Sequence, residues 1–304
     1  MNRRDFIRTS AAAGLSIPLI TPAFGKLTHP YVDQIGIQLY TVRNQMAEDP
    51  VATLRAIKAA GYDQVEGGDV AVYQKIMPIL NDMALGSRST FFSWPYLTGR
   101  WDLVEAEGMK PTEKDFAGVV ESAKKLGMDY LVFGYMRPEE RETLDDYHKI
   151  AEELNKAGEQ CNAAGMKLCY HNHAFEFEPI DGKVPYDILI EETDADKLHF
   201  ELDVFWSSLA GHEPIPLMKK LGKRTTLLHL KNKQEGTDLI YDESKVPAEA
   251  FQELNDGVID IQAILELAEE LGVEQCFVEQ DQSPDPIQSI NQSISYLQSI
   301  ETKL

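Results

Sequence analysis

Residues 167–178 read KLCYHNHAFEFE. An apolar run suited to a buried parallel strand gives way there to histidine and glutamate, side chains that hold divalent metals and move protons. On a strand, His171 and His173 point to one face and Asn172 to the other. Three further stretches repeat the pattern: 198–206 (LHFELDVFW), 225–233 (TTLLHLKNK) and 274–281 (EQCFVEQD). One histidine or glutamate at a strand end is often structural, but four successive strands ending this way point to a shared site.

Outward from these stretches the chain alternates strand and helix. Residues 34–43 (QIGIQLYTVR) read as a first strand, and Asp49-Pro50 opens a helix that Gly61 stops. Residues 62–68 form a second strand ending in Glu66, followed by a helix over 70–83. A third strand at 85–95 runs into an aromatic loop, 96–110, longer than a routine connection. A helix from Thr112 and Asp115 to Gly127, a fourth strand at 128–136 and a helix over 144–164 lead to the fifth strand at 167–178. The sixth strand is read at 198–204 and the seventh at 225–231, with helices around 186–191 and 215–221 between. A polar loop at 234–256, a helix at 259–271, an eighth strand at 275–279 and a closing helix at 286–300 complete the chain. Eight strands alternating with eight helices predict an α/β fold, a single-domain (β/α)8 TIM barrel over residues 34–304. An open doubly wound nucleotide-binding sheet would call for GxGxxG after the first strand, where the chain has Tyr40-Thr41-Val42-Arg43-Asn44.

The 304 residues are 43% hydrophobic and 26% charged, the composition of a soluble domain with a sizeable core, and carry a formal charge of −21. That charge argues against nucleic acid as a partner, because phosphate binding rests on Lys and Arg. Cys161, Cys169 and Cys276 lie in predicted elements without CxxC spacing, which predicts buried small hydrophobes and no disulfide. At the start, Arg3-Arg4, a short apolar run over 11–20 and Ala23-Phe24-Gly25 resemble a twin-arginine export signal at 1–25, with 26–33 as linker. The expectation is a periplasmic protein without stable membrane insertion after processing.

Active sites of such barrels lie at the C-terminal strand ends. Glu66, His171, His173, Glu176, Asp203, His229, Lys231 and Glu279 all fall there. Periodicity pairs Glu201 with Asp203, His229 with Lys231, and Glu279 with Asp281 on common faces. A mixed His/Asp/Glu set without thiolates favours Mn²⁺, Mg²⁺, Zn²⁺ or Co²⁺.

Gly36-Ile37-Gln38-Leu39-Tyr40, Val65-Glu66-Gly67, Tyr170 to Phe177, Leu202-Asp203 with Trp206 and Gly211, His229-Leu230-Lys231-Asn232 and Val278-Glu279-Gln280-Asp281 resemble the xylose-isomerase-like barrel superfamily, closest to its sugar phosphate isomerase/epimerase members. The resemblance implies one divalent metal ion held by His171, Asp203, His229 and Glu279, with His173 or Glu176 as alternative ligands from the fifth strand. Glu66, His173, Glu176 and Lys231 are then the candidate catalytic residues, and Asn232 stands where relatives often have Asp. Such a site suits proton transfer beside the carbonyl of a small carbohydrate: isomerisation or epimerisation through an enediolate, or β-elimination from a 3-keto-glycoside. Two other readings are a nuclease on the same barrel, which the charge opposes, and an exported sugar-binding protein that has lost activity. Trp94, Tyr96, Trp101, Phe205 and Trp206 are candidates for stacking on a sugar face.

Overall fold

The computed structural model describes Tyr31, residues 34–105 and residues 110–300; the expected export signal lies outside them, as does most of the linker. Among the described residues eight parallel strands form the barrel: Gly36–Gln38, Gln64–Glu66, Ser89–Phe91, Tyr130–Phe133, Lys167–His171, Leu198–Asp203, Thr225–Leu230 and Gln275–Val278. Their order is second, first, eighth, seventh, sixth, fifth, fourth, third. The second and third strands meet through Val65 N donating to Gly86 O (2.9 Å), Gly86 N to Asp63 O (2.8 Å) and Phe91 N to Gly68 O (3.1 Å), which nearly closes the ring.

Alternation along each strand divides the core in two. Ile37, Val65, Leu131, Phe133, Leu168, Phe200, Leu202, Leu228, Leu230 and Val278 face outward and pack under the helices. Tyr130, Val132, Cys169, Leu227 and Phe277 face inward and, with Phe91 against them, plug the barrel. Gly36 is required opposite the plug, because a Cβ there would sit 2.3 Å from the Phe277 ring. The same inward parity, continued upward, delivers Gln38, Glu66, His171, Glu201, His229 and Glu279 to the C-terminal end. Cys161, Cys169 and Cys276 are free and buried, as expected.

Helix starts follow their caps. Asp49, Asp69, Asp115, Asp260 and Asp285 each accept a backbone N–H from the first turn of Pro50–Ala60, Val70–Asp82, Phe116–Lys125, Ile261–Leu271 and Pro286–Ser299. No helix among the described residues is long and apolar enough to cross a membrane.

The first, fifth and sixth strands stop sooner than their apolar runs, and in each of these a side chain captures the backbone. Gln38 Oε1 accepts from Tyr40 N at 3.3 Å, and residues expected to extend the first strand wind into a 3-10 turn, Leu39–Val42. Asp203 ends the sixth strand by capping Val204–Leu209, accepting from Phe205 N and Trp206 N at 2.9 Å each. The fifth strand stops at His171 and gives way to the turn Phe175–Phe177, where Glu176 accepts from His173 N at 2.9 Å. The predicted aromatic loop contains two short helices, Pro95–Thr98 and Asp102–Glu105, and the Tyr96 hydroxyl accepts from Thr112 N and Glu113 N.

Candidate active site

A cavity of about 460 Å³ opens at the C-terminal end of the barrel. His171, His173, His229, Lys231, Glu279 and Asp281 line it together with Gln38, Tyr40, Tyr135, Trp206, Glu243 and Phe251. Although the fifth strand ends at His171, His171 and His173 still share the cavity face, with ring centroids 5.1 Å apart. Asn172 is turned the other way and staples the fifth strand to the sixth, donating to Asp203 O (3.3 Å) and accepting from Asp203 N (3.1 Å).

His229 is the hub. Its Nε2 lies 2.7 Å from Glu66 Oε2 and 3.4 Å from Glu201 Oε2; its Nδ1 lies 2.9 Å from Glu279 Oε2 and 3.9 Å from Asp203 Oδ2. His171 Nδ1 is 3.2 Å from Glu201 Oε2. Above them the Lys231 ammonium contacts Asp203 (3.2 Å), Glu279 (2.9 Å) and Asp281 (3.1 Å).

These contacts set the protonation states. Burial favours neutral His229, but Glu201 and Glu279 outweigh it and hold the imidazole well above its usual value. Burial likewise opposes charge on Glu279, yet Lys231 and His229 keep that carboxyl well below the ordinary range. Burial pushes Glu201 well up, reinforced by Glu66 beside it. His171 is held well below its usual value by burial and its imidazole neighbours, and His173 falls to about 3 through burial and the nearby Lys231. Asp281 is pushed up to about 7 by burial, which Lys231 only partly offsets.

The chemistry of this set fits a divalent cation. Ligand atoms of His171, Asp203 and His229 lie within 4.8 Å of one another, as do those of Glu66, Glu201 and His229. The carboxyl groups of Glu66, Glu201, Asp203, Glu279 and Asp281 are all buried and face one ammonium and one hub imidazole. Among the described residues, Glu66 Oε1, Glu201 Oε1, Asp281 Oδ1 and His173 Nδ1 are buried without a hydrogen-bond partner. Protein interiors seldom leave so many acceptors unanswered, and hard oxygen and imidazole donors are what such cations take.

Two expected catalytic residues stand apart from the cavity lining. Glu66 is fully buried behind His229 and accepts from Gln38 Nε2 at 3.1 Å. Glu176 accepts from the Tyr170 hydroxyl (2.9 Å) and from His173 N, and burial raises it to about 8. Of the aromatic candidates, Trp206 lines the cavity; Trp94 packs on Tyr135, Tyr96 on Trp101 and Phe205 on Phe251. Glu201, Asp281 and Glu243 join the site without having been singled out for roles in it. For Glu201 and Asp281 the signal was present, as each shares a strand face with an expected ligand.

Asn232 also has a defined task. Its amide nitrogen donates to Leu254 O (2.8 Å) and Ile259 O (3.2 Å), while its Oδ1 accepts from Lys233 N and Ile259 N at 2.8 Å each. Gly257 is needed there, since a Cβ would lie 2.2 Å from Asn232 Oδ1. Asparagine therefore closes the root of the long connection that aspartate, lacking a donor, could not.

A family model described as xylose isomerase-like TIM barrel matches residues 95–300. The inosose dehydratase of Geobacillus kaustophilus (strain HTA426) is 29% identical over 93 residues, covering 31% of this chain and 30% of that protein. The inosose dehydratase of Lacticaseibacillus casei is 26% identical over 149 residues, 47% of this chain and 49% of that protein. The chain thus spans about a third to a half of the length of these curated relatives. A solved structure of a sugar phosphate isomerase/epimerase from Parabacteroides distasonis ATCC 8503 aligns with a TM-score of 0.69 at 24% identity, covering 88% of this chain and 98% of that one, a likeness of fold.

Proposed function

The chain belongs to the xylose isomerase-like TIM barrel family, and from that premise we propose that it is a divalent-metal-dependent enzyme acting on a small keto-sugar as an isomerase or epimerase. The observation that carries this is a sugar-sized cavity floored by a buried His/Asp/Glu cluster whose carboxylates exceed its cations. His171, Asp203, His229 and Glu279 are the residues that would hold the metal. When bound, it would supply Lewis-acid polarisation of the substrate carbonyl, easing loss of the neighbouring carbon-bound proton.

The chain's own groups do the rest. Glu66 accepts the Nε2 proton of His229 and so turns Nδ1 toward Asp203 and Glu279, the role a carboxylate behind a ligating imidazole performs. Lys231, kept protonated because Asp203, Asp281 and Glu279 outweigh the cost of burial, stabilises the oxyanion that develops as the proton leaves. His173 and Asp281 each line the cavity with a buried, unpartnered acceptor atom. They follow the fifth and eighth strands, with the sixth and seventh between them. Two such groups suit epimerisation if His173 accepts the proton from one face of a carbon while Asp281, pushed up to about 7 and so able to hold a proton, returns one to the other face.

A second reading, elimination, is favoured by the inosose dehydratase relatives. It needs the same proton removal, followed by protonation of the departing oxygen, for which Asp281, lining the cavity and pushed up to about 7 by burial, is the suited group. We also propose that the mature protein works in the periplasm after twin-arginine export; replacing both Arg3 and Arg4 by Lys should strand the precursor in the cytoplasm, and unchanged periplasmic yield would refute this.

The test is solvent exchange. Metal-loaded protein given keto-sugars in D₂O should place deuterium on the carbon beside the carbonyl or release an unsaturated product, and chelation should stop both. Turnover without label in product or recovered substrate would defeat the proton-transfer reading. A chain that binds sugars but never turns them over would be the inactive binding protein instead.

A further inference from the structure

The connection between the seventh strand and the helix Ile261–Leu271 supplies Glu243, Val246 and Phe251 to the cavity wall. Its root is closed by Asn232 and by antiparallel pairing of Asn232–Lys233 with Phe251–Gln252. Its middle is tied down as well. The Tyr135 hydroxyl and Arg141 Nη2 each donate to Glu243 Oε1 at 2.8 Å, and the Arg141 guanidinium lies 3.3 Å over the Phe175 ring. Both bonds use the same carboxylate oxygen. Glu243 Oε2 is buried and has no hydrogen-bond partner among the described residues. A carboxylate held in place with a spare acceptor, on the wall of a cavity, is prepared for a ligand's hydroxyl group.

The other charges around the cavity sharpen this. Lys231 is the only lysine or arginine among the described lining residues, and Asp203, Glu279 and Asp281 already occupy its ammonium. Arg88 pairs with Asp129 at the opposite end of the barrel, and Arg43 lies over the Tyr40 ring while donating to Tyr40 O. A phosphate group placed against the Glu243 wall would meet a carboxylate whose neighbouring cation, Arg141, already bonds it.

We propose that Glu243, pinned by Tyr135 and Arg141, is a specificity-determining residue that accepts hydroxyl groups of an uncharged sugar and turns away its phosphorylated counterpart. This deepens the keto-sugar reading above and rests on it. The experiment uses the full chain loaded with Mn²⁺, free ketohexoses and 2-keto-inositol as probes, and the corresponding monophosphates. Binding is read by saturation-transfer NMR and reaction by deuterium incorporation.

Wild type should favour the free sugar by about tenfold or more, and Glu243→Gln, whose amide oxygen still accepts from Tyr135 and Arg141, should narrow that preference to about threefold. KM for the free sugar should rise while kcat, metal content and thermal midpoint stay close to wild type, a split that a purely structural role would not produce. Wild-type preference for the monophosphate, or an unchanged ratio in Glu243→Gln, overturns the proposal. If sugars bind and no deuterium enters any of them, the proton-transfer reading falls, while the binding ratio still decides the role of Glu243. If neither free nor phosphorylated sugars bind wild type, both ideas are overturned.

Discussion

At the N-terminal end of the barrel, Glu274 bonds to the Lys167 ammonium and the Tyr130 hydroxyl, and Arg88 pairs with Asp129 at 2.6 Å. His199 Nδ1 meets Thr226 Oγ1 at 3.0 Å, and the Gln275 amide donates to Gln64. At the C-terminal end the carboxyls are more deeply buried and less well answered: five of them crowd the Lys231 ammonium and the His229 imidazole, with His171 against Glu201, and among the described residues Glu66 Oε1, Glu201 Oε1, Asp203 Oδ2 and Asp281 Oδ1 have no hydrogen-bond partner. Burial of charge is tolerated where it is paired, so the bottom is held as structure. The top keeps an excess of acceptors that a folded chain gains nothing by retaining unless a ligand answers them.

Neutralising one carboxyl at each end should separate the two roles most strongly. Asp203→Asn keeps an oxygen for the two N–H groups that Asp203 caps, so the helix Val204–Leu209 should survive. Loss of its charge should lower affinity for Mn²⁺ by on the order of 100-fold and activity with it, as removing a ligand charge must at least match the effect of removing a ligand's support. Glu274→Gln should leave the metal untouched and move stability by about 1 kcal/mol or less, because its ion pair is partly exposed. Metal analysis and thermal melts check both; a full equivalent of metal in Asp203→Asn, or metal loss in Glu274→Gln, would erase the distinction between the ends.

Much of this is legible in the sequence. Aspartate caps, Pro50 and Gly61 announced helix limits, and period-two alternation placed His229 with Lys231 and Glu279 with Asp281 on common faces. Strand ends were not legible, because whether Gln38 or Asp203 turns onto its own backbone depends on what the neighbouring strand leaves available. Alternation puts Glu201 on one face with Asp203, but its place between His171 and His229 arises only when the sixth strand is ringed by the fifth and seventh. Glu243 gave no signal at all. It lies in a polar connection without periodicity, and its meeting with Tyr135 and Arg141 spans about a hundred residues of chain.

The cover over the top can be loosened without touching the cluster beneath it. Asn232→Asp replaces a donor that serves Leu254 O and Ile259 O with a second acceptor, buried beside those carbonyls. The cost should be about 2–4 kcal/mol, the penalty for unsatisfied buried groups with one of them charged. Hydrogen exchange should quicken through residues 232–254 while metal content holds. Exchange spread evenly over the whole barrel would mean that the connection is not a separately anchored cover.

The last effect belongs to the bottom and concerns pH. Burial, and secondarily Lys167, lowers His199 from 6.5 to about 4, with Glu274 opposing. The folded state therefore binds fewer protons than the unfolded state between those two values. Stability from this residue is complete above pH 6.5, falls as pH drops through that range, and levels off below about pH 4. Because the ring is partly exposed, screening trims the effect to about 1–2 kcal/mol. Urea midpoints of wild type and His199→Gln, compared at pH 7.5 and pH 4.5, cancel the carboxylates that titrate in both proteins. The variant should lose less stability on acidification than wild type, with metal content at pH 7.5 unchanged. An identical loss would place the acid sensitivity elsewhere in the fold, and a greater loss in the variant would mean that His199 is charged in the folded barrel, making the bottom an electrostatic site like the top.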